Sequence, residues 1–112
     1  MPKFGDFLNA PPNPGSVIKV RMDVSGIKQA DLARALGVSA PRLNMILKNR
    51  LHITPEIALR LAKVFGTSPF YWLQIRADFE IFVESRRLSN ELNEIVSLQA
   101  RHEHGERQAL AA

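Results

Sequence analysis

The stretch QADLARALGVSAPRLNMILKNR, residues 29–50, limits the possible fold more than any other part of this sequence. Apolar residues recur at helical spacing on both sides of Gly37, and a glycine in that place commonly ends a helix in the left-handed conformation. Ser39 is then of the residue type that caps the start of a helix. The stretch therefore predicts two short helices, over about 28–36 and 40–48, joined by a tight turn.

The packing positions of these two helices are typical of a helix-turn-helix. Where two short helices cross closely, the contact needs a small side chain, and Ala33 is placed there. In such a motif the second helix lies in the major groove of DNA, while the first helix crosses the backbone. The positions predicted to face the core are Leu32, Ala33, Leu36, Leu43, Ile46 and Leu47.

The same part of the chain carries the whole excess of positive charge. Residues 26–50 contain five basic residues and one acid, a balance of +4, which equals the net charge of all 112 residues. From residue 76 onward five arginines stand against seven acids, a balance of −2. A basic patch confined to one element favours a polyanion as partner, although a solvated helical face would carry similar charges.

The outward face of the second helix carries basic and amide groups and no acid. A period of 3.6 residues puts Pro41, Met45 and Lys48 opposite the core positions, with Arg42 and Asn44 on either side. Base edges and phosphates require such groups, so Arg42 is expected to contact DNA and Lys48 to contact phosphate. For Met45, contact with a thymine methyl group and plain exposure both stay open. The predicted DNA-contacting residues are Lys28, Gln29, Ser39, Ala40, Pro41, Arg42, Asn44, Met45, Lys48 and Arg50.

Helix start signals elsewhere predict three further helices. One is expected over about 16–24, although its apolar residues alternate almost as they would in a strand. Thr54-Pro55 and Ser68-Pro69 each pair a capping residue with a proline at the first helical position. The predicted organisation is an all-α fold with an irregular arm over 1–13, a compact five-helix helix-turn-helix domain over 14–83, a helical extension over 84–100 and a flexible tail over 101–112.

Composition excludes several classes of protein. Cysteine is absent, which rules out disulfides and cysteine zinc sites and fits a reducing compartment. No apolar run is long enough to span a bilayer and the first residues lack the order of a signal peptide, so a cytoplasmic protein with no membrane partner is expected. His102 and His104 lack a third fixed ligand, and no residues form a catalytic set. We therefore expect no metal, no cofactor and no enzymatic activity.

Several segments match a known family: Pro14-Gly15, QADLARALGVS, Arg42-Leu43, the IL at 46–47, ITPEIALRLAKVFGTSPFYWL at 53–73, and Ile75 to Phe79. On these residues, the sequence over 14–83 resembles the HigA-type antitoxins of the Xre-like helix-turn-helix family, also described as plasmid-maintenance antidote proteins. The block over 53–73 is far more specific than the generic helix-turn-helix pattern.

The resemblance implies a fold of about five helices that binds operator DNA as a dimer. It also implies neutralisation of a cognate RelE-like (HigB-like) toxin that cleaves mRNA on the ribosome, and contact of Gln29 with a phosphate. Two departures stand out. The family often has glycine where Asn49 stands, but asparagine tolerates the left-handed conformation. The family also often has glutamate at the position of Ser16. In this sequence Ser16 would act as a helix cap instead.

A second apolar pattern follows the predicted domain. Its spacings of four and three residues place one stripe on a helix, and an exposed stripe of that kind normally marks an interface. We expect it to hold a homodimer together, the alternative being that it folds back on its own domain. The predicted interface residues are Phe82, Leu88, Leu92, Ile95 and Leu98.

Three functions remain open on these observations. The first is a DNA-binding antitoxin that represses its own operon, and the second is a stand-alone repressor without a toxin. The third is a protein-interaction module whose basic patch binds an acidic partner or RNA. A toxin-like reading frame next to this one would separate the first from the second, and salt-dependent binding to a specific palindrome would separate both from the third.

Overall fold

The computed structural model describes residues 10–99, and this part of the chain contains helices and no strands. The predicted all-α fold and its five domain helices are therefore confirmed. The predicted tail over 101–112, most of the predicted arm over 1–13, and both His102 and His104 lie outside the described residues. The helices are α1 (Pro14–Ser25), α2 (Gln29–Leu36), α3 (Ala40–Leu47), α4 (Pro55–Phe65), α5 (Pro69–Arg87) and α6 (Ser89–Glu94).

One apolar core lies between the first five helices. α1 packs on α3 and α5, α2 packs on α3 and α4, and α4 packs on α5. The six positions of α2 and α3 predicted to face the core are all buried. Trp72 of α5 is also fully buried, and its indole N–H donates to Thr67 Oγ1 at 2.7 Å. The largest core side chain thus has its one polar atom satisfied.

α1 begins two residues earlier than predicted, because Asn13 rather than Ser16 caps it. Asn13 Oδ1 accepts a hydrogen bond from the Ser16 backbone N–H at 2.8 Å. The Ser16 hydroxyl donates in return to the Asn13 carbonyl oxygen at 2.8 Å. Pro14 then occupies the first helical position, where its missing N–H costs nothing. The cap that was predicted at Ser16 is corrected to this reciprocal pair.

The start of α1 touches the end of α3 at Gly15. A Cβ atom added to Gly15 would lie 2.0 Å from the Leu47 carbonyl oxygen and 2.7 Å from its carbonyl carbon. Those atoms belong to the backbone, so no change of side-chain rotamer would relieve the overlap. Only glycine allows α1 to lie this close, and the contact fixes α3 relative to α1.

The turn between α2 and α3 is anchored to α4. Gly37 ends α2 with a φ of 69°, the left-handed conformation that the sequence predicts. Arg60 of α4 donates from Nη1 to the Leu36 carbonyl oxygen at 2.8 Å, and its Nε lies 3.2 Å from Glu56 Oε1. A carbonyl at the open end of α2 is thereby satisfied by a cation, the charge that the helix dipole favours at a C-terminus.

The segment after the domain is not one helix. α5 ends at Arg87, α6 ends at Glu94, and Ile95 is extended with φ −76° and ψ 123°. The prediction that the five interface residues share one helical stripe is therefore wrong. Ile95 and Val96 are β-branched and favour extended backbone, so the spacing of apolar residues continues past the point where the helix stops. The stripe is divided between α5 (Phe82), the junction (Leu88), α6 (Leu92) and the residues beyond it (Ile95, Leu98).

Gly15→Ala is expected to lower the free energy of unfolding by about 3 kcal/mol or more, because the added methyl group overpacks against backbone. Helix propensity alone predicts the opposite sign, since alanine favours a helix over glycine by roughly 1 kcal/mol. Urea denaturation of both proteins measures the difference.

Gly26→Ala is the matched control, because nothing lies within 4 Å of a Cβ atom there and only its positive φ of 67° opposes alanine. We expect a cost of about 1 kcal/mol for this variant. Equal costs at both positions would show that the contact between Gly15 and Leu47 does not limit stability.

Candidate nucleic-acid interface

The structure leaves the predicted DNA-contacting residues accessible on α2 and α3. The side chains of α3 that pack inward are Leu43, Ile46 and Leu47, which turns the opposite face of the helix to solvent. Within the predicted set, Arg42 and Asn44 are half-buried. The exposed members are Lys28, Gln29, Ser39, Ala40, Pro41, Met45, Lys48 and Arg50.

Ser39 sets the start of α3. Its hydroxyl oxygen accepts a hydrogen bond from the Arg42 backbone N–H at 3.2 Å, which confirms the predicted cap. A serine hydroxyl can accept and donate at once, so its own proton remains available for a phosphate oxygen. Capping and the predicted DNA contact are therefore compatible at this residue.

The basic side chains of α3 and its end are not neutralised by neighbours. Among residues 10–99, none of Arg42, Lys48 and Arg50 forms an ion pair. Arg34 of α2 differs, since its Nη2 lies 3.5 Å from Asp31 Oδ1. Unpaired cations on an exposed face without acids are suited to phosphate and base contacts.

The start of α2 has no side-chain cap. Lys28 stands at the capping position with φ −82° and ψ 154°, but its side chain makes no capping hydrogen bond. The first N–H groups of α2 are therefore left without a protein partner, beside the exposed Gln29. Unpaired N–H groups at the positive end of a helix dipole bind anions, and phosphate is the anion that DNA offers.

These backbone N–H groups were missed by reasoning from side chains, although the sequence contains a signal for them. Asn13, Ser39, Thr54 and Ser68 cap α1, α3, α4 and α5 with side-chain oxygens. At the corresponding place before α2 the sequence has Lys28, which cannot accept a hydrogen bond. A lysine at the capping position therefore indicates that the first N–H groups of the helix have no capping side chain.

A cavity of about 290 Å³ lies between the loop after α3 and α5. Its polar groups contact one another: Glu80 Oε1 lies 2.5 Å from His52 Nδ1 and 3.0 Å from Arg76 Nε. Arg76 also donates from Nη1 to the Ile53 carbonyl oxygen at 3.1 Å. A hydrogen bond from Arg87 lowers the pKa of Glu84, which also lines the cavity. These contacts hold the loop against α5 and occupy the polar groups of the cavity. The basic face therefore remains as the candidate site.

The described residues show neither a metal site nor a membrane-spanning helix. Between residues 10 and 99, no three histidine, aspartate or glutamate side chains are grouped as metal ligands would be. No helix in the same range is long and apolar enough to cross a membrane.

Comparison with known proteins gives matches over the same region. The family model described as helix-turn-helix matches residues 19–72, from α1 into α5. An uncharacterized HTH-type transcriptional regulator of Haemophilus influenzae is 35% identical over 79 residues, which cover 69% of this chain and 74% of that protein. Residues 19–72, which the family model matches, contain the whole candidate interface.

Solved structures extend the similarity to the fold. An addiction module antidote protein of the HigA family from Coxiella burnetii has a TM-score of 0.72 at 28% identity, covering 80% of this chain and 98% of that protein. The Pseudomonas aeruginosa antitoxin HigA, solved with the higBA promoter, has a TM-score of 0.73 at 30% identity, covering 79% and 98%. The resemblance to HigA-type antitoxins and the helix-turn-helix fold predicted from the sequence are confirmed.

Lys28→Ser is expected to change stability and DNA binding in opposite directions. The backbone of Lys28 already has the geometry of a cap, so a serine oxygen can accept from the first turn and raise the free energy of unfolding by about 1 kcal/mol. The same substitution removes a cation and occupies an N–H group, so binding of double-stranded DNA should weaken. Thermal melting and a fluorescence anisotropy titration measure the two effects.

Lys28→Ala separates the two causes, because it removes the charge without supplying a cap. We expect it to bind DNA less tightly than the wild type but more tightly than Lys28→Ser, with no gain in stability. If both variants bind DNA equally, the open N-terminus of α2 contributes nothing to binding.

Proposed function

Because the chain belongs to the Xre-like helix-turn-helix family, we propose that it is a HigA-type antitoxin that binds operator DNA as a homodimer. In this function it represses its own operon and neutralises a RelE-like, HigB-like toxin that cleaves mRNA. It acts in the cytoplasm, needs no cofactor, and performs no catalysis of its own. The surface that carries the proposal is the exposed face of α3 together with the open start of α2.

The composition of this surface supports DNA over an acidic protein as partner. It joins unpaired cations on α3 to free backbone N–H groups on α2, and phosphates arrayed along a duplex can meet both. Half-buried Arg42 and Asn44 are partly held in place by their surroundings, which suits hydrogen bonds to base edges. The similar Pseudomonas aeruginosa HigA was solved with promoter DNA, which supports the same use of the fold here.

Sequence-specific binding by so short a recognition helix calls for two copies. One helix-turn-helix reads a few base pairs, and two copies must lie about one DNA turn, roughly 34 Å, apart. The proposed contact between copies uses the apolar side chains from Phe82 onward. Ile95 and Leu98 support it, since they are 68% and 67% exposed and would otherwise leave apolar surface in water.

The toxin is the part of the proposal that rests on family membership alone. Antitoxin and toxin genes of this type are expected to be neighbours, so the adjacent small reading frame supplies the candidate partner. Co-expression with that product should yield one complex on size exclusion and should rescue growth that the product alone inhibits. Growth arrest that this chain fails to relieve would contradict the antitoxin role and leave DNA binding untouched.

A stand-alone repressor is the second candidate function. It is favoured by the similar Haemophilus influenzae protein, an uncharacterized HTH-type transcriptional regulator. Both candidates use the same operator-binding face, so the co-expression experiment decides between them.

Arg42→Ala is expected to weaken binding to the DNA upstream of its own reading frame by about 1–3 kcal/mol if the guanidinium group reads a base. Lys48→Ala should instead weaken binding to operator and scrambled duplexes alike, and should reduce the dependence of affinity on salt. Titrations at several salt concentrations measure both effects.

Lys63→Ala serves as the control, because it removes an exposed lysine of α4 outside the proposed face. Its affinity should match that of the wild type apart from the small effect of net charge. If Arg42→Ala binds the operator as well as Lys63→Ala does, Arg42 makes no base contact.

Truncation after Arg87 tests the proposed dimer contact, since it cuts at the end of α5 and keeps the core helices. We expect a monomer by light scattering, with weaker operator binding because the second recognition helix is lost. A melting curve close to that of the full chain would establish that the domain stays folded. A truncated protein that remains dimeric and binds with unchanged affinity would rule out residues 88–98 as the interface.

A further inference from the structure

Asn49 has a backbone conformation that side chains rarely adopt. Its φ is 59°, and it is the one non-glycine residue with a positive φ among residues 10–99. The other residues with positive φ in that range are the glycines that end α1, α2 and α4. Since glycine would satisfy the backbone at position 49 without strain, the asparagine side chain calls for a separate explanation.

The side chain of Asn49 joins the end of α3 to the start of α1. Its Oδ1 accepts a hydrogen bond from the Gly15 backbone N–H at 2.9 Å, and its Nδ2 donates to Asn13 Oδ1 at 2.8 Å. Asn13 Oδ1 simultaneously accepts from the Ser16 N–H at 2.8 Å, the capping bond of α1. One amide thus uses both an acceptor and a donor to bridge segments more than thirty residues apart in sequence.

The place of Asn49 in the chain gives this bridge a mechanical role. α3 closes with the Asn49 N–H on the Ile46 carbonyl oxygen at 3.0 Å and the Arg50 N–H on the Met45 carbonyl oxygen at 2.8 Å. This is a Schellman closure with Asn49 as its left-handed residue. Rotation about the backbone of Asn49 would therefore redirect Arg50 and release the last turn of α3 together with Lys48, which caps it.

We propose that Asn49 is a positioning residue for operator binding, in which its amide acts as a latch that holds Lys48 and Arg50 in the geometry that phosphates require. The proposal rests on the proposed function in one respect, that α3 binds operator DNA. Asn49 touches no DNA in this mechanism. It removes the freedom of two cations before binding, so that less entropy is lost when they contact the backbone of the duplex.

Other side chains do not reproduce the latch. Glycine keeps the backbone conformation and loses both bonds, while aspartate keeps the acceptor for Gly15 and lacks the donor for Asn13. At position 13, aspartate keeps an acceptor for both of its partners. Serine there keeps the capping bond to Ser16 but is too short to meet Asn49. These differences supply variants that separate the latch from the cap and from the backbone.

The test compares Asn49→Gly, Asn13→Ser, their double variant and Asn13→Asp in the full chain. The probes are the duplex upstream of its reading frame, a scrambled duplex of equal length, and amide hydrogen exchange of the free protein. For Asn49→Gly and Asn13→Ser we expect operator binding weaker by about threefold to tenfold, the range for one or two lost hydrogen bonds. Binding to the scrambled duplex should weaken by a similar factor, because Lys48 and Arg50 contact phosphates, which every duplex carries, while the dependence on salt should not change because no charge is removed.

Exchange at the Gly15 and Arg50 amides should accelerate in both single variants, while exchange in α4 stays as in the wild type. The double variant should lose no more operator affinity than Asn49→Gly alone, since both changes break the same bridge. Asn13→Asp should behave as the wild type on every probe.

Three results would overturn the latch: wild-type operator affinity in Asn49→Gly, a loss on the operator with none on scrambled DNA, or additive losses in the double variant. A wild type that prefers no duplex would instead overturn the proposed function. In that case amide hydrogen exchange at Gly15 and Arg50 still tests the latch without DNA. Unchanged exchange in Asn49→Gly would then overturn the latch as well.

Discussion

The close approach of Gly15 to the Leu47 carbonyl is the constraint on which the rest of the structure depends. With no Cβ atom in between, the first turn of α1 lies directly on the last turn of α3. The hydrogen bond from the Gly15 N–H to the Asn49 amide depends on this closeness. α3 has only about two turns, and a helix this short has little stability of its own. The contact with α1 at its last turn therefore stabilises its position.

Most of the fold could be predicted from the sequence because local signals and core packing agree there. The predicted capping residues Ser39, Thr54 and Ser68 begin α3, α4 and α5 where the sequence places them, and Gly37 ends α2 in the left-handed conformation as expected. α1 is a helix despite its alternating valines, since Ile18 and Met22, four residues apart, are buried while Val20 and Val24 stay exposed. The helical spacing of the buried residues therefore predicts α1 correctly, because α3 and α5 pack against that face.

The sequence was less informative in two places. In one the structure depends on a contact between distant segments, and in the other a helix ends for lack of such contacts. Nothing local tells that Asn49 bonds to Gly15, because hydrogen bonds across thirty-four residues leave no spacing to read. After Arg87 the opposite problem arises, since a regular apolar pattern continues although the chain leaves the helix. In the candidate interface, the inward face of α3 was predictable from its apolar spacing, whereas the open N–H groups of α2 were missed although Lys28 stands at the capping position.

The uneven distribution of charge has a consequence for kinetics. Residues 26–50 carry a balance of +4 and residues 76–99 a balance of −2, so the excess of positive charge is concentrated on the helix-turn-helix. In the field of a polyanion a molecule with such a basic segment turns during diffusion, and it arrives more often with that segment forward. Orientation before contact raises the fraction of collisions that are productive. Added salt should therefore slow the encounter itself, besides weakening the contacts that form afterwards.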